Sequence, residues 1–520
     1  MEKKAGGAAL LEALKAEDLE AALRVLEAIV ADRSPLADLP PETRKRLLLL
    51  AGRASRPETH QERRLARAFR RRKREGLERA DRNARAASGI RAAREDSVFV
   101  APVRTLPAPE TAPERELKQP KTCYVCKTDF TRLHDFYDAL CPECAAFNYE
   151  KRFQTAPLHG RVGLVTGARV KIGYQAALKM LRAGARVIAV TRFPHDAAAR
   201  YCREADFGDW RDRLHVHGLD LRHSPSVELF ARFVEQGFDR LDILINNACQ
   251  TVRRPAGFYA HLLDFEERPA SDLDPELRPL VASHHRLAEA LESRGAPKAP
   301  GAPDATGLMA FHGGGSGLGV RASARMSQVR YSYEDAERRP DLFPEGSRDA
   351  DLQQLDLRER NSWRLTLAEV ETPELLEVQL VNAVAPFVLC ARLRGLMSRV
   401  PTRDKHVVNV SAMEGIFSRG TKTDRHPHTN MAKAALNMMT LTSARDYVQD
   451  GIHMNAVDTG WVTDEDPFVH ATRKRDELDF QPPLDIVDGA ARICDPFFAG
   501  LLTGEHVWGR FLKDYKPSSW

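Results

Sequence analysis

The sequence predicts an α/β fold: a doubly wound parallel sheet with a large insertion, preceded by a small zinc-ribbon-like module and a helical N-terminal region. Three observations predict it. Residues 161–192 read RVGLVTGARVKIGYQAALKMLRAGARVIAVTR, a short apolar strand, a glycine-containing turn, a helix with one apolar face and a second strand. Further apolar runs of strand length stand at 214–221, 241–245, 406–411 and 451–457. Ahead of them lie four cysteines arranged as two CxxC pairs.

A chain of 520 residues has room for two or more domains. With 43% hydrophobic and 29% charged residues it has the composition of a globular protein with a sizeable core. No run of about 18 apolar residues occurs, so no membrane span is expected. Acidic residues run through the apolar part of the N-terminus, which argues against a secretory leader. Paired cysteines of this kind suit a metal in a reducing compartment, and a cytoplasmic location is expected.

Residues 1–100 form the helical, basic N-terminal region. Leu10, Leu11, Leu14, Leu19, Leu23 and Leu26 recur at helical spacing, and prolines at 35, 40 and 41 end that run. A leucine-rich helix is expected from Glu42 to about Ala51, and an Arg/Ala/Glu-rich helix from Glu62 to about Ala87. Between Ala51 and Asp96 stand 15 Lys/Arg against 7 Asp/Glu, so the basic segment 63–94 is a candidate contact for a protein or a nucleic acid. A solvated helix with no specific partner fits the same residues, because Phe69 is alone and no aromatic interleaving supports base stacking. Residues 101–121 are proline-rich and aperiodic and read as a linker.

Residues 122–152 form the small module. Cys123, Cys126, Cys141 and Cys144 give CxxC, fourteen residues, then CxxC. Each pair makes a knuckle that turns two thiolates toward one ion, and four thiolates close a tetrahedral Zn²⁺ site with no position for water. The expected role is structural. His134 lies between the pairs but is not needed as a ligand.

The sheet domain occupies residues 153–520. Gly167 lets the chain turn tightly, Gly173 lets the helix approach the strand, and the helix N-terminus directs free N–H groups at a pyrophosphate. At this point the chain resembles the short-chain dehydrogenases/reductases. TGARVKIG is similar to their TGxxxGxG turn, and Asp220, the run Asn246-Asn247-Ala248-Cys249, Asn382, Ser411, Lys433 and Thr463 follow in the family's order. The resemblance covers 158–256 and 373–515. It implies a Rossmann-type sheet, a nicotinamide dinucleotide, a small-molecule substrate and a homo-oligomer.

By position, the resemblance assigns Gly167, Arg169, Lys171, Ile172, Gly173, Arg192, Asp220, Leu221, Asn247, Ala248, Lys433, Gly460, Val462 and Thr463 to the cofactor. It assigns Asn382, Ser411, Thr429 and Lys433 to catalysis. Arg192 follows the second strand where NAD-preferring enzymes place an acid. An arginine there suits a 2′-phosphate, which favours NADP(H) over NAD. Two positions depart from the pattern: Lys171 replaces a glycine, and Thr429 replaces the tyrosine of YxxxK. A phenol can be tuned toward neutral pH, whereas an aliphatic alcohol titrates far higher.

Three functions are compatible with that departure. The acid–base group is relocated, with His426, His428, Tyr331 and Tyr333 as candidates; or the hydride chemistry needs no phenol; or the domain binds NADP without catalysis and reaches a partner through the ribbon and the basic arm. The segment 251–372 is an insertion of about 120 residues, expected near the mouth of the site as a lid or an interface arm. Its glycine cluster, 312–319, reads as a loop because the glycines do not fall at GxGxxG spacing.

Overall fold

In the computed structural model, residues 15–95, 98–101, 115–293, 317–329 and 339–520 are described. The chain divides into two compact units, residues 1–79 and 80–520.

The first unit is helical. Its helices α1 (Ala16–Ala31), α2 (Pro41–Ser55) and the larger part of α3 (Thr59–Ala86) follow the leucine and arginine patterns. Leu19, Leu23, Leu26 and Val30 recur along one stripe of α1 and are exposed.

The second unit opens with the end of α3 and a short helix, α4 (Gly89–Ala92). These pack on a small two-stranded ribbon, β1 (Glu116–Thr122) and β2 (Asp129–Arg132), followed by helix α5 (Pro142–Phe153). Strand β1 corrects the expectation of a linker over 101–121 and moves the start of the ribbon to 116. The reason is Leu117, which is buried in the ribbon core although its neighbours are polar or proline. Pro120 has no N–H to donate, and the β1–β2 register slips between Glu116 and Lys121. Residues 102–114 of the expected linker lie outside the described residues.

The basic segment 63–94 is also corrected at its end. Asp81 is buried and accepts from the Lys118 and Gln119 N–H groups. Ile90 is fully buried, and Arg91 pairs with Asp138 at 2.7 Å. Arg94 donates to the Leu484 carbonyl at 2.8 Å. This stretch is internal architecture, because its cations already have partners.

Among the described residues the sheet has eight strands, in the order β5-β4-β3-β6-β7-β8-β9-β10. They are β3 (Val162–Thr166), β4 (Arg186–Thr191), β5 (Leu214–Gly218), β6 (Ile243–Asn246), β7 (Lys405–Ser411), β8 (Ile452–Asp458), β9 (Phe511–Lys513) and β10 (Lys516–Ser518). All pair in parallel except β9 with β10. Central strands β3, β7 and β8 are buried along their whole length, which explains their continuous apolar runs. Helices α6 (Lys171–Arg182) and α16 (Ile486–Thr503) cover one face; α8 (Ser224–Gly237), α13 (Ala385–Ser398) and α14 (Pro427–Tyr447) cover the other.

A π-turn, Leu380–Val384, joins α12 (Thr372–Gln379) to α13 and carries Asn382. Residues Thr372–Ser398 are long and apolar enough to cross a membrane by composition, but Leu389, Leu393, Leu396 and Met397 pack on the sheet. From the insertion come α9 (Ala256–Glu266), α10 (Arg278–Ser293) and the short α11 (Leu318–Arg321). Only the end of the glycine cluster is described, and there Gly317–Gly319 opens a helical turn instead of a loop. Gly319 fits because an added Cβ would meet Ser226 at 2.9 Å.

His217 on β5 is fully buried, and neither ring nitrogen has a hydrogen-bond partner. Burial pushes its pKa down to about 3. The folded value lies below the unfolded one, so stability is intact above about 6.5 and is lost as pH falls toward 3. His217→Phe should flatten the stability–pH profile in that window by about one proton, roughly 1.4 kcal/mol per pH unit, in urea unfolding at a series of pH values.

Candidate active site

The cradle is built where β3 runs into α6. Gly167 has φ +69°, and an added Cβ would sit 2.9 Å from Ala248 Cα. At Gly173 a Cβ would come within 2.3 Å of the Gly167 carbonyl oxygen and of Asn247 Nδ2. Both positions therefore need the missing side chain for close backbone approach. The Thr166 hydroxyl accepts from the Asn247 and Ala248 N–H groups, each at 3.0 Å. Asn247 Nδ2 donates to the Thr166 carbonyl at 3.0 Å. Four expected cofactor residues, Gly167, Gly173, Asn247 and Ala248, thus meet in one turn.

Lys171 occupies the left-handed backbone region, φ 56°, where a glycine would rest without strain. Burial alone would lower its pKa, but Glu465, Asp351 and Asp349 outweigh that and hold its ammonium above the usual value. Ile172 packs with Val462 beside Gly489, where a Cβ would meet them at 2.9 and 3.3 Å.

A cleft of about 340 Å³ opens in front of the cradle. Gly167, Arg169, Lys171, Ile172, Gly173, Arg192, Asp220, Leu221, Asn247, Ala248 and Thr463 line it; the expected cofactor residues Gly460 and Val462 are not among its lining residues. Arg192 lies just past β4. Its guanidinium sits 4.6 Å from the Tyr259 ring centroid and donates to the Tyr259 hydroxyl at 2.7 Å. Arg169 pairs with Asp196 at 2.7 Å. Asp220 pairs with Arg222 at 2.7 Å; burial would raise its carboxyl, and Arg222 overrides that and lowers it. Arg222 also reaches Glu377 at 2.6 Å.

The catalytic positions lie outside the cleft lining. The Ser411 hydroxyl is 2.6 Å from Asn437 Oδ1, and Lys433 Nζ donates to the Val410 carbonyl at 2.7 Å. Thr429 is buried and its hydroxyl has no partner. Asn382 clamps the loop after β6, accepting from the Gln250 N–H at 2.7 Å. Its place on a π-turn breaks the regular helical repeat at this position. Of the relocated acid–base candidates, His428 is buried with Nε2 3.3 Å from Glu374 Oε1, and His426 stacks on Trp363 at 3.9 Å. Tyr331 and Tyr333 lie outside the described residues.

The insertion reaches this face. Tyr259, Ser327 and Gln353 line the cleft. Asn361 donates to the Glu465 carbonyl at 2.9 Å and Arg364 pairs with Asp466 at 2.9 Å, so residues 361–364 brace the loop after β8.

In the ribbon, the Cys123, Cys126, Cys141 and Cys144 sulfurs all lie within 4.8 Å of one another. Cys126 and Cys141 are 3.6 Å apart. Tetrahedral Zn²⁺ with bonds of about 2.3 Å requires sulfurs about 3.8 Å apart, so the set fits the ion. His134 is outside this cluster; its Nδ1 accepts from the Phe136 N–H at 3.0 Å.

Sequence reasoning missed Arg222, Tyr259, Glu377 and Glu465. Arg222 and Glu465 each lie two residues after an expected site residue, and that spacing was the available signal. Asn437 was missed although it stands one helical turn after Lys433 on the same face. Glu377 and Tyr259 had no local signal.

Residues 161–264 match the family model described as short chain dehydrogenase. An uncharacterized protein of Acanthamoeba polyphaga mimivirus is 28% identical over 389 residues, which is 73% of this chain and 71% of that protein. Dehydrogenase/reductase SDR family member 13 of Bos taurus is 37% identical over 105 residues, 19% of this chain and 27% of that one. Retinol dehydrogenase 14 of Homo sapiens is 36% identical over 117 residues, 19% of this chain and 35% of that one. Apart from the viral protein, these matches span about a quarter to a third of the relatives' length. The glycine turn and the strand order agree with the family match, and residues 161–264 of this chain are similar to the short-chain dehydrogenases.

Proposed function

We propose that the protein is an NAD(P)-dependent oxidoreductase that prefers NADP(H) and moves a hydride to or from a small organic substrate, with an acid–base group other than tyrosine. The observation that carries the cofactor preference is Arg192, held by Tyr259 on the cleft wall just past β4. The bound coenzyme supplies or accepts the hydride. Gly167 and Gly173 keep the backbone open for its pyrophosphate, and the α6 N-terminus faces it. Ser411, held by Asn437, and Asn382, fixed on Gln250, are the polar groups for the substrate side. His428 beside Glu374 is the candidate proton carrier in place of the phenol.

A second function is supported by a specific observation. Ser411 and Lys433 are satisfied internally and Thr429 has no partner, which also suits an NADP-binding protein without catalysis. NADPH oxidation against a panel of carbonyl and enone compounds separates the two. Turnover supports the enzyme; calorimetric NADPH binding with no substrate consumed supports the binding protein. Arg192→Asp should weaken NADPH binding about tenfold or more and leave NADH binding nearly unchanged. Equal NADPH and NADH affinities in the parent would refute the preference.

Exposed Phe387, Met431, Met438 and Leu441 lie on the faces of α13 and α14 turned away from the sheet, and we assign them to a second copy of this chain. The solvated part of the basic segment, Arg63 to Arg74, remains the candidate contact for a protein or nucleic acid. A cytoplasmic location suits a ribbon whose four cysteines are gathered for a metal.

A further inference from the structure

The four-cysteine ribbon is not a separate bead on the chain. Its apolar core is shared with the sheet domain: Tyr137 and Leu140 belong to the same buried cluster as Val462, Leu484, Ile486 and Val487, and Ile172 of the cradle packs against it. Val462 and Ile172 are both expected cofactor residues. The ribbon therefore supports the wall of the cleft from behind.

One polar contact links the metal site to that wall. Tyr124 is the residue after Cys123, inside the first knuckle. Its main-chain N–H donates to the Ala139 carbonyl at 2.9 Å, which ties the two knuckles together. Its hydroxyl accepts a hydrogen bond from the Trp461 N–H at 2.9 Å. Trp461 lies in the loop that leaves β8, between Gly460 and Thr463, and Thr463 lines the cleft. At Gly460, φ +77°, an added Cβ would lie 3.3 Å from the Tyr124 hydroxyl and 2.5 Å from Leu484. The loop is thus pressed directly onto the ribbon. The Tyr124 ring is also 5.7 Å from Lys513 Nζ, and Lys513 pairs with Asp458 at the end of β8.

We propose that Tyr124 is a positioning residue for the coenzyme loop 459–463, and that metal loading of the four-cysteine site strengthens dinucleotide binding by holding Tyr124 in place. The proposal rests on the cleft binding a nicotinamide dinucleotide. The physical basis is linkage. If metal and dinucleotide both favour the same loop position, each raises the affinity for the other by the same factor.

The test uses the full chain loaded with Zn²⁺, the same protein after chelation, and Tyr124→Phe, which keeps the ring and removes only the hydroxyl. Two quantities are read: amide hydrogen exchange at Trp461, and NADPH affinity by calorimetry. In zinc-loaded Tyr124→Phe, exchange at Trp461 should rise about tenfold, the size expected for one lost hydrogen bond, and NADPH should bind about five- to tenfold more weakly. Metal content should stay at about one zinc per chain and the unfolding temperature should stay within about 2 °C. The chelated parent should show the same two changes. NADPH should in turn slow zinc loss to a chelator.

Parent-like exchange and affinity in zinc-loaded Tyr124→Phe would overturn the positioning role. Parent-like values after chelation would overturn the metal linkage. Failure of the cofactor assignment looks different: zinc-loaded parent gives no heat with NADPH while Trp461 exchange still responds to Tyr124→Phe. That result overturns the coenzyme clause by itself.

Discussion

Replacing Gly173 by alanine is expected to abolish measurable coenzyme binding. The added methyl would lie 2.3 Å from the Gly167 carbonyl oxygen and 2.3 Å from Asn247 Nδ2. One of these is backbone, and the other is fixed by its bonds to the Thr166 and Gly167 carbonyls. Neither can yield without moving α6 off β3, and that movement spoils the alignment of N–H groups at the helix mouth. Overpacking of this kind costs about 1–3 kcal/mol of stability. Affinity should fall by at least about 100-fold, equivalent to about 2.7 kcal/mol, because the pyrophosphate contacts depend on the backbone position. Calorimetry with NADPH reads the first effect and urea unfolding the second. Gly52→Ala is the control. It lies inside α2, an added Cβ there meets nothing within 4 Å, and it should leave binding unchanged. Parent-like affinity in Gly173→Ala would remove the cradle from the coenzyme site.

The largest loss of stability should come from Arg152→Ala. Arg152 ends α5, its side chain is fully buried, and it makes a bidentate pair with Asp485 at 2.6 and 2.7 Å. It lies 3.2 Å from Asp488 and stacks 4.6 Å from the Phe136 ring centroid. Asp485 is the N-cap of α16 and accepts from the Val487 and Asp488 N–H groups. Burial would raise the Asp485 carboxyl, but Arg152 holds it below the usual range; burial and Asp485 together raise Asp488. Removing the guanidinium leaves two carboxyl groups without their cation in a dry interface. Breaking a buried pair in this way costs about 3–5 kcal/mol. The midpoint of urea unfolding checks it. Adding Asp485→Asn to Arg152→Ala should restore part of the loss, because the second change removes a charge that the first left unpaired. Additive losses in the double mutant would show that the two residues act independently.

The alternation of strand and helix was legible from local pattern alone. The run 161–192 places its strand, turn and helix within a residue or so of β3, α6 and β4. The CxxC spacing named four cysteines that do converge. These signals are local in sequence, so composition and periodicity report them. Asn246 is an intermediate case. Its motif was visible, but its bond to Asn409 at 2.8 Å, continued from Asn409 to Thr440 at 2.9 Å, appears only when β6, β7 and α14 lie side by side.

Other features were hidden because their causes are distant in sequence. Strand β1 resembles a linker until Leu117 enters the ribbon core. The cations of residues 81–94 resemble a free basic arm until Asp138 and Asp479 meet Arg91. Glu377 lies 155 residues from Arg222 yet neutralises it.

By itself, the sequence determined the glycine turn, the parallel strands and the thiolate quartet, because each depends on residue type at short, regular spacing. Tertiary structure decided which charges are spent on one another, why Ser411 faces Asn437, and how Tyr124 reaches Trp461. Those outcomes follow from burial. A polar group removed from water must find a partner wherever the fold brings one, and sequence distance does not limit that choice.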